Sequence, residues 1–514
     1  MKKWIVFSVS LVSTLIYAQE INSEIDKVTV KAMELFEVPG VAVAVVKDGK
    51  IIHSKGYGVR SINQPEKVDS YTNFGIASNS KAFTSAALAI LIDQKKLNWD
   101  DKVIQYIPEF KMYNDYVTQE FTIRDLLTHR SGLGLGAGDL MIWPDGHNFT
   151  SQDVVQNIQY LKPVSDFRAK YDYDNLLYII AGVVIERVSK KSWAAFIEEE
   201  VMLPLGMENS AGNWNRIKDK TNSITPHVPI DRELQVIDRY TNTIFDAAAG
   251  IYSNIHDLSK WVTMQLNEGQ FEGKTLFSKE RHTEMWTPQT LMSNQTTPPY
   301  YSLFRAYGLG WQLTDVAGKL QVSHTGGLEG IVTQVTLLPQ ENLGIIVLTN
   351  QQSGYAFHAI TNTIKNYFLG LPYYDFNQEY YDKSQENLKN ADTITEAVWL
   401  KASNTSNQAI KNLDALVGYY KDNWFGNVHI FKEGNRYIFK SLRSPQLTGE
   451  LLYYGDNTYA VKWFNRYFNA DAFIYVEKEG AKTHLKMKAI SPLTDFSYDF
   501  HDLHFTNLDT IIEH

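Results

Sequence analysis

The sequence predicts an α+β protein: an antiparallel sheet flanked by helices with a helical subdomain, followed by a small all-β barrel-like domain. Segments rich in Val and Ile lie at both ends of the region over residues 19–370, and mostly helical patterns lie between them. Short alternating segments recur from about residue 411 onward. Since each apolar sheet face must be covered, strands at both ends with helices between them favour one sheet with helices on its faces.

The first expected element of this region is a β-hairpin. Gly40 to Ile52 is rich in β-branched residues and has Asp48-Gly49 in its middle, a pair typical of tight turns. A long helix is expected to begin near Ser78. The later expected elements, in chain order, are a helix over Leu176 to Val188, strands over Val332 to Leu338 and Leu343 to Leu348, and a helix over Tyr355 to Phe368.

The C-terminal part has a different pattern. Residues 371–410 are polar and predict a linker that is helical in part. Between residues 411 and 508, short alternating segments such as Val428 to Phe431 and Tyr437 to Phe439 recur, and repeated short strands favour a small barrel or sandwich. One alternative is that this domain is itself a ligand-binding barrel that carries the function.

Composition excludes several functional classes. The 514 residues are 44% hydrophobic and 21% charged, which is typical of a folded globular protein. Cysteine is absent, which excludes disulfide scaffolds, thiolate metal sites and cysteine nucleophiles. The formal charge of −9 disfavours nucleic-acid binding, because a basic face supplies most of that affinity. We expect a small-molecule or peptide substrate and no metal or cofactor, and the oligomeric state stays open.

Residues 1–18 have the pattern of a secretory signal peptide. Lys2 and Lys3 precede an apolar run from Trp4 to Ile16, and Ala18 is a small residue at a plausible cleavage point. The run is short compared with the roughly 20 residues that span a bilayer, and an uncleaved N-terminal anchor is the alternative. No later stretch is apolar enough to span a membrane. We therefore expect an exported protein, either periplasmic or secreted.

Ser78 and Lys81 are the first candidates for catalysis. They form the sole S-x-x-K spacing in the chain and precede a strongly helical run. On a helix, residues three apart share a face, so the amine can reach the hydroxyl. A serine nucleophile needs a nearby base, and a lysine can serve if its pKa is depressed. The alternative is a serine that caps a helix beside a solvated lysine.

Two further motifs contain candidate site residues. His324-Thr325-Gly326-Gly327 falls just ahead of the strand expected at Val332, and Gly327 could present an N–H group to an oxyanion beside the sheet edge. The alternative is a glycine turn with an incidental histidine. Tyr173-x-Asn175 is one of five Y-x-N triplets and precedes the helix at Leu176. A phenol there could relay a proton, and an amide could hold a substrate carbonyl.

This ordered set of motifs resembles the serine β-lactamase and penicillin-recognising hydrolase family, most closely its class C β-lactamase, D-aminopeptidase and esterase branch. The resemblance covers about residues 22–370. The tail from residue 411 resembles the lipocalin-like β-domain often appended to such hydrolases. Further stretches that fit the branch are Thr122 to Gly134, Ala248 to Asp257 and Gly308 to Trp311.

The resemblance implies a β-lactamase/transpeptidase-like fold and a role for each motif residue. Ser78 would be the acylated nucleophile, and Lys81 with Tyr173 would handle the protons jointly. The substrate would be bound by Asn175, His324, Thr325 and Gly326, and the oxyanion by the backbone N–H groups of Ser78 and Gly327.

His324 departs from the Lys-Thr-Gly of many β-lactamases and DD-peptidases. A lysine is a permanent positive charge for a substrate carboxylate, whereas histidine is mostly neutral above pH 7. We therefore expect a D-amino-acid peptide or an ester as the substrate in preference to a β-lactam. The alternatives are a true β-lactamase or DD-peptidase, or a non-catalytic binder of peptides or cell-wall fragments.

Overall fold

The computed structural model of the chain describes residues 21–294, 296–406 and 410–508. The predicted signal peptide over residues 1–18 lies outside these ranges. The described residues form a nine-stranded antiparallel sheet with helices around it, followed by a closed eight-stranded barrel. The predicted α+β architecture with a C-terminal all-β domain is therefore confirmed.

The strands of the N-terminal unit include the expected hairpin and the two expected late strands. Their bounds are β1 (Gly40–Lys47), β2 (Lys50–Ser61), β3 (Gln64–Lys67), β4 (Phe74–Gly75), β5 (His227–Ile230), β6 (Glu233–Val236), β7 (Tyr252–Ser253), β8 (Gln270–Phe271), β9 (Lys274–Thr275), β10 (Thr290–Met292), β11 (Arg305–Tyr307), β12 (Gln312–Val316), β13 (Lys319–Leu328), β14 (Ile331–Leu338) and β15 (Leu343–Thr349). The order in the large sheet is β10-β11-β12-β13-β14-β15-β1-β2-β3, so the two ends of the unit meet in the middle of the sheet where β15 pairs with β1.

Helices cover both faces of the sheet and form a subdomain beside it. Their bounds are α1 (21–35), α2 (Ser80–Asp93), α3 (Asp115–Glu120), α4 (Ile123–Leu126), α5 (Ser151–Asn157), α6 (Leu176–Ser189), α7 (Trp193–Ile197), α8 (Leu203–Leu205), α9 (Asp246–Ala249), α10 (Ile255–Leu266), α11 (Lys279–Met285), α12 (Gly354–Phe368), α13 (Phe376–Ser406) and α14 (Ile410–Asp414). The expected helices near Ser78, at Leu176 and at Tyr355 correspond to α2, α6 and α12.

Strand β1 shows why the sheet is apolar at nearly every central position. Val41, Val43 and Val45 pack with residues of α1 and α12 on one face. The alternate residues Ala42 and Ala44 belong to the core on the opposite face, where α10 lies. Since neighbouring side chains of a strand point to opposite faces, a strand covered on both sides has no place for a polar residue.

The barrel comprises eight antiparallel strands in sequence order. Pairing of the first and last strands, with Tyr420 opposite Asn507, closes the barrel. Large side chains such as Phe439, Trp463 and Phe505 are buried and pack together in its core. The bounds are β16 (Gly418–Asp422), β17 (Gly426–Glu433), β18 (Arg436–Ser441), β19 (Thr448–Gly455), β20 (Thr458–Trp463), β21 (Ala472–Glu479), β22 (Lys482–Ala489) and β23 (His504–Asn507).

The predicted linker over residues 371–410 is mostly the 31-residue helix α13. Its first half packs on the N-terminal unit, where Asn387 Nδ2 donates a hydrogen bond to Tyr355 Oη at 2.9 Å. Its second half packs on the barrel, where Val398 is buried against Ala460 and Ile490. Among the residues that the structure describes, no helix combines the length and apolar character needed to cross a membrane.

Candidate active site

Ser78 lies on a 3₁₀ turn, Ala77–Asn79, that leads directly into α2. Ala77 has a left-handed backbone with φ of 49°, a conformation that costs energy in a residue other than glycine and recurs at functional sites. The Asn79 side chain donates a hydrogen bond to Thr333 Oγ1 at 2.9 Å, which ties the turn to β14. Ser78 is partly exposed while its two neighbours are buried, so its hydroxyl can be reached.

Lys81 is fully buried one turn after Ser78. Its Nζ donates hydrogen bonds to Asn175 Oδ1 at 2.7 Å and to the Ala248 carbonyl at 3.0 Å, and it lies 3.1 Å from Ser78 Oγ. Burial lowers the pKa of Lys81 to about 7, although the nearby Asp139 opposes this effect. A substantial fraction of the amine is therefore neutral near pH 7, as a base for the serine must be.

Tyr173 completes the predicted group of proton-handling residues. The Lys81 Nζ lies 4.8 Å from the centroid of the Tyr173 ring, and the phenol is close enough to Ser78 for the interaction between them to oppose the effect of burial on its pKa. Burial raises the pKa of Tyr173 well above its usual value, so the phenol keeps its proton at neutral pH. The structure thus brings together Ser78, Lys81 and Tyr173 as the sequence predicts.

Asn175 lies at the start of α6 and links Lys81 to an acid. Its Oδ1 accepts the hydrogen bond from Lys81, and its Nδ2 donates to Asp139 Oδ2 at 2.7 Å. Asp139 is fully buried, and burial raises its pKa well above the usual range. An amide carries two N–H bonds and the contact with Asp139 engages one of them, so the predicted contact with a substrate needs the other.

The motif from His324 to Gly327 lies on β13, which directly precedes β14, the strand expected at Val332. Strand β12 pairs with β13 only as far as Ser323, while β14 pairs with it through Leu328. One side of the strand is therefore open from His324 onward.

The two glycines of this motif have opposite surroundings. A Cβ atom at Gly326 would lie 2.2 Å from the Ile76 carbonyl oxygen and 3.0 Å from Ala77 Cβ, so the strand and the serine turn approach closely there. A Cβ atom at Gly327 would meet nothing within 4 Å. Together they place an exposed strand edge beside Ser78, where an extended substrate or an oxyanion could be held.

His324 faces the interior of the molecule. Its Nε2 lies 2.9 Å from Tyr307 Oη and its Nδ1 lies 2.6 Å from the Thr325 carbonyl. Because the carbonyl can only accept, Nδ1 carries the proton and Nε2 accepts from the phenol. Burial, assisted by the charge of Lys81, lowers the pKa of His324 to about 3, so the imidazole is neutral. Both ring nitrogens are thus occupied within the wall of the site.

The barrel also reaches this site. The ring of Phe496, in the loop between β22 and β23, lies edge-on to Tyr173 with 5.7 Å between the centroids. Sequence reasoning missed Asp139, Tyr307 and Phe496. Tyr307 directly precedes the Gly308 to Trp311 stretch, and the other two lie in no recognisable motif. Their placement depends on long-range packing, for which the sequence contains no local signal.

Comparison with known proteins identifies the family of the N-terminal unit. The sequence model of the Beta-lactamase family matches residues 25–366, well over half of the chain. The chain belongs to the beta-lactamase family. Family members are serine hydrolases, which agrees with the grouping of Ser78, Lys81 and Tyr173. A second model, described as a domain of unknown function (DUF3471), matches residues 402–507, which include the barrel.

Two relatives within the beta-lactamase family are distant. Protein flp of Staphylococcus aureus (strain N315) is 28% identical over 342 residues, which cover 65% of this chain and 64% of flp. The unguisins hydrolase ungD' of Aspergillus campestris is 27% identical over 348 residues, covering 65% of this chain and 62% of that protein. The chain thus spans somewhat less than two-thirds of the length of these curated relatives.

A solved structure supports the arrangement of the whole chain. The octameric penicillin-binding protein homologue from Pyrococcus abyssi aligns with a TM-score of 0.60 and 20% sequence identity. The alignment covers 94% of this chain and 99% of that one, so the likeness includes the C-terminal domain. At this identity the likeness concerns the fold alone.

Proposed function

We propose that the protein is an exported serine hydrolase that cleaves an amide or ester bond through an acyl-enzyme on Ser78. The observation that carries this proposal is the fully buried Lys81 amine, which lies 3.1 Å from Ser78 Oγ and has a pKa lowered to about 7. A neutral amine at hydrogen-bond distance can take the hydroxyl proton as the oxygen attacks.

In the acylation step, Ser78 Oγ bonds to the substrate carbonyl carbon and its proton passes to Lys81 Nζ. The backbone N–H groups of Ser78 and Gly327 stabilise the resulting oxyanion. When the carbon–nitrogen or carbon–oxygen bond breaks, the leaving amine or alcohol takes the phenolic proton of Tyr173, which Lys81 then replaces. Water next attacks the ester, releases the acid and restores Ser78.

The assignment of base and acid follows from two opposite pKa shifts with the same cause. Burial disfavours the charged form, which lowers the pKa of Lys81 and raises that of Tyr173. The lysine is therefore suited to accept a proton, and the phenol is suited to hold one until the leaving group needs it. This supports Lys81 as the acylation base among the two residues predicted jointly.

The surroundings of His324 support a D-amino-acid peptide or an ester over a β-lactam. A neutral, inward-facing imidazole offers no fixed positive charge to a substrate carboxylate. A relative named as a hydrolase, from Aspergillus campestris, supports hydrolysis as the reaction class. The N-terminal pattern over residues 1–18 supports export.

The test is detection of the acyl-enzyme by intact-mass spectrometry. The protein is incubated with a penicillin, a D-alanine p-nitroanilide and p-nitrophenyl acetate, and Ser78→Ala should abolish each adduct. Ser80→Ala is the matched control and should still form each adduct. The Ser80 hydroxyl accepts from the Ile251 N–H at 3.1 Å and should not itself be acylated. An adduct that persists in Ser78→Ala would overturn the proposal, and one formed with penicillin alone would favour a β-lactamase or DD-peptidase.

A further inference from the structure

The loop between β22 and β23, residues 490–503, leaves the barrel and lies against the beta-lactamase unit beside the active site. Its Asp499 is fully buried. Asp499 Oδ2 accepts a hydrogen bond from the Gly138 N–H at 2.6 Å, and Oδ1 accepts from the Leu140 N–H at 3.1 Å. These residues are about 360 positions apart in the chain, so the contact joins the two domains.

The two amides that Asp499 holds are those on either side of Asp139. Asp139 in turn accepts from Asn175, whose carbonyl oxygen accepts from Lys81, which is hydrogen-bonded to Ser78. A connected path therefore runs from a barrel residue to the nucleophile: Asp499 holds the backbone on both sides of Asp139, and hydrogen bonds between side chains continue from Asp139 to Ser78. All of its intermediate side chains are buried, so water cannot easily replace a lost member.

The same loop packs on Tyr173 by a second route. The Phe496 ring lies edge-on to the Tyr173 ring, and the Phe496 carbonyl oxygen would lie 2.6 Å from a Cβ atom at Gly136. The Gly136 N–H donates to the Tyr173 carbonyl at 2.8 Å. The segment over residues 136–140 thus contacts the barrel loop on one side and the backbone of Tyr173 and the side chain of Asn175 on the other.

We propose that the 490–503 loop makes the barrel domain a working part of the active site. Asp499 is a positioning residue that holds Asp139, and through it Asn175 and Lys81, while Phe496 holds the ring of Tyr173. This inference rests on the proposed function, since it concerns the same catalytic group. It assigns a role to a domain whose family description states none.

Asp422 provides a matched control for Asp499. It is a buried aspartate of the same barrel, and its carboxylate accepts from the backbone N–H groups of Trp424 at 2.8 Å, Phe425 at 2.9 Å and His504 at 2.9 Å. All of these partners lie within the barrel. Loss of either carboxylate should destabilise the fold, but only the loss at Asp499 should disturb Lys81.

The experiment measures acylation by p-nitrophenyl acetate in the full-length chain. We expect Asp499→Asn to lower kcat about 10- to 100-fold with KM changed less than about twofold, since small displacements of catalytic groups have effects of this size. Asp499→Ala, whose side chain has no hydrogen-bond acceptor, should lower kcat further. Asp422→Asn should keep kcat within about twofold of the wild type at temperatures where both variants are folded.

A second pair of variants covers the case in which Asp499→Asn does not fold. Phe496 and Phe464 are barrel residues with 40% and 49% exposure, so truncating either should leave the fold intact. We expect Phe496→Ala to slow acylation at least about threefold and Phe464→Ala to leave it unchanged. Equal kcat in the two aspartate variants, or in the two phenylalanine variants, would overturn the inference. If Ser78→Ala were acylated as fast as the wild type, that result would instead overturn the proposed function.

Discussion

Two regions of the beta-lactamase unit bury a lysine with nearly the same electrostatic result. In the active site, Lys81 is fully buried and its pKa is lowered to about 7. In α12, outside the site, Lys365 is only 4% exposed and burial also lowers its pKa to about 7. The two amines are equally suited to act as bases, yet only one lies beside a serine.

What differs between the regions is the set of neighbours. Lys81 Nζ contacts a hydroxyl, an amide oxygen and a backbone carbonyl, whereas Lys365 Nζ donates to Gln321 Oε1 at 2.8 Å and lies 3.9 Å above the Tyr300 ring. The comparison teaches that a depressed pKa does not identify a catalytic residue. A catalytic lysine is identified by its position beside a nucleophile. Substitutions at the two lysines separate the depressed pKa from that position.

The largest effect is expected from removing each amine in turn. Lys81→Met should lower kcat/KM for p-nitrophenyl acetate by about 10²- to 10⁴-fold, the usual contribution of general base catalysis. Lys365→Met, which removes an equally perturbed amine, should leave kcat/KM within about twofold. Steady-state kinetics on the two variants checks this, and comparable losses in both would mean that the comparison is wrong.

An intermediate effect is expected from a change that moves the nucleophile and leaves both lysines in place. Gly326→Ala would press a methyl group onto the Ile76 carbonyl, so we expect about 1–3 kcal/mol of destabilisation and acylation at least about tenfold slower. Gly327→Ala is the matched control, because its methyl group would meet nothing. It also keeps its backbone N–H group, so acylation should change less than about threefold. Urea denaturation and burst kinetics measure the two effects.

The smallest effect concerns the pH dependence of stability. The pKa of Lys365 is lowered from 10.5 to about 7 in the folded protein, so between these values the unfolded chain holds a proton that the folded chain lacks. This contribution therefore makes the free energy of unfolding rise with pH across that window, by up to about 1.4 kcal/mol per unit. Relative to Lys365→Met, the wild type should gain stability from pH 7 to pH 8, by up to about 1.4 kcal/mol. A difference that stays constant in urea titrations at the two pH values would contradict it.

Much of the fold could be predicted because its signals are local. The apolar runs of β1, β14 and β15 and the alternating segments of the barrel each lie within about ten residues of sequence. Helix α13 was harder to predict, since its buried residues Ala391, Val398 and Ala402 form a narrow apolar stripe in a polar segment. Packing against α12 and β19 stabilises it, and propensity alone does not show that packing.

The same distinction applies to the site. Ser78 and Lys81 could be predicted because residues three positions apart on a helix lie next to each other on its surface. Asp139 and Asp499 could not be, since each gains its importance from a partner on another element or in another domain. The inward orientation of His324 could not be predicted either, because it depends on a hydrogen bond with Tyr307 of β11.

Helix α13 acts as a rigid spacer with a fixed angular setting. At 1.5 Å per residue its 31 residues extend about 46 Å, and each residue advances the helix by about 100°. One amino acid inserted at its centre would turn the barrel through more than a quarter of a circle relative to the sheet. In natural variation, length changes should thus be tolerated at surface turns such as Gly480 long before they are tolerated here.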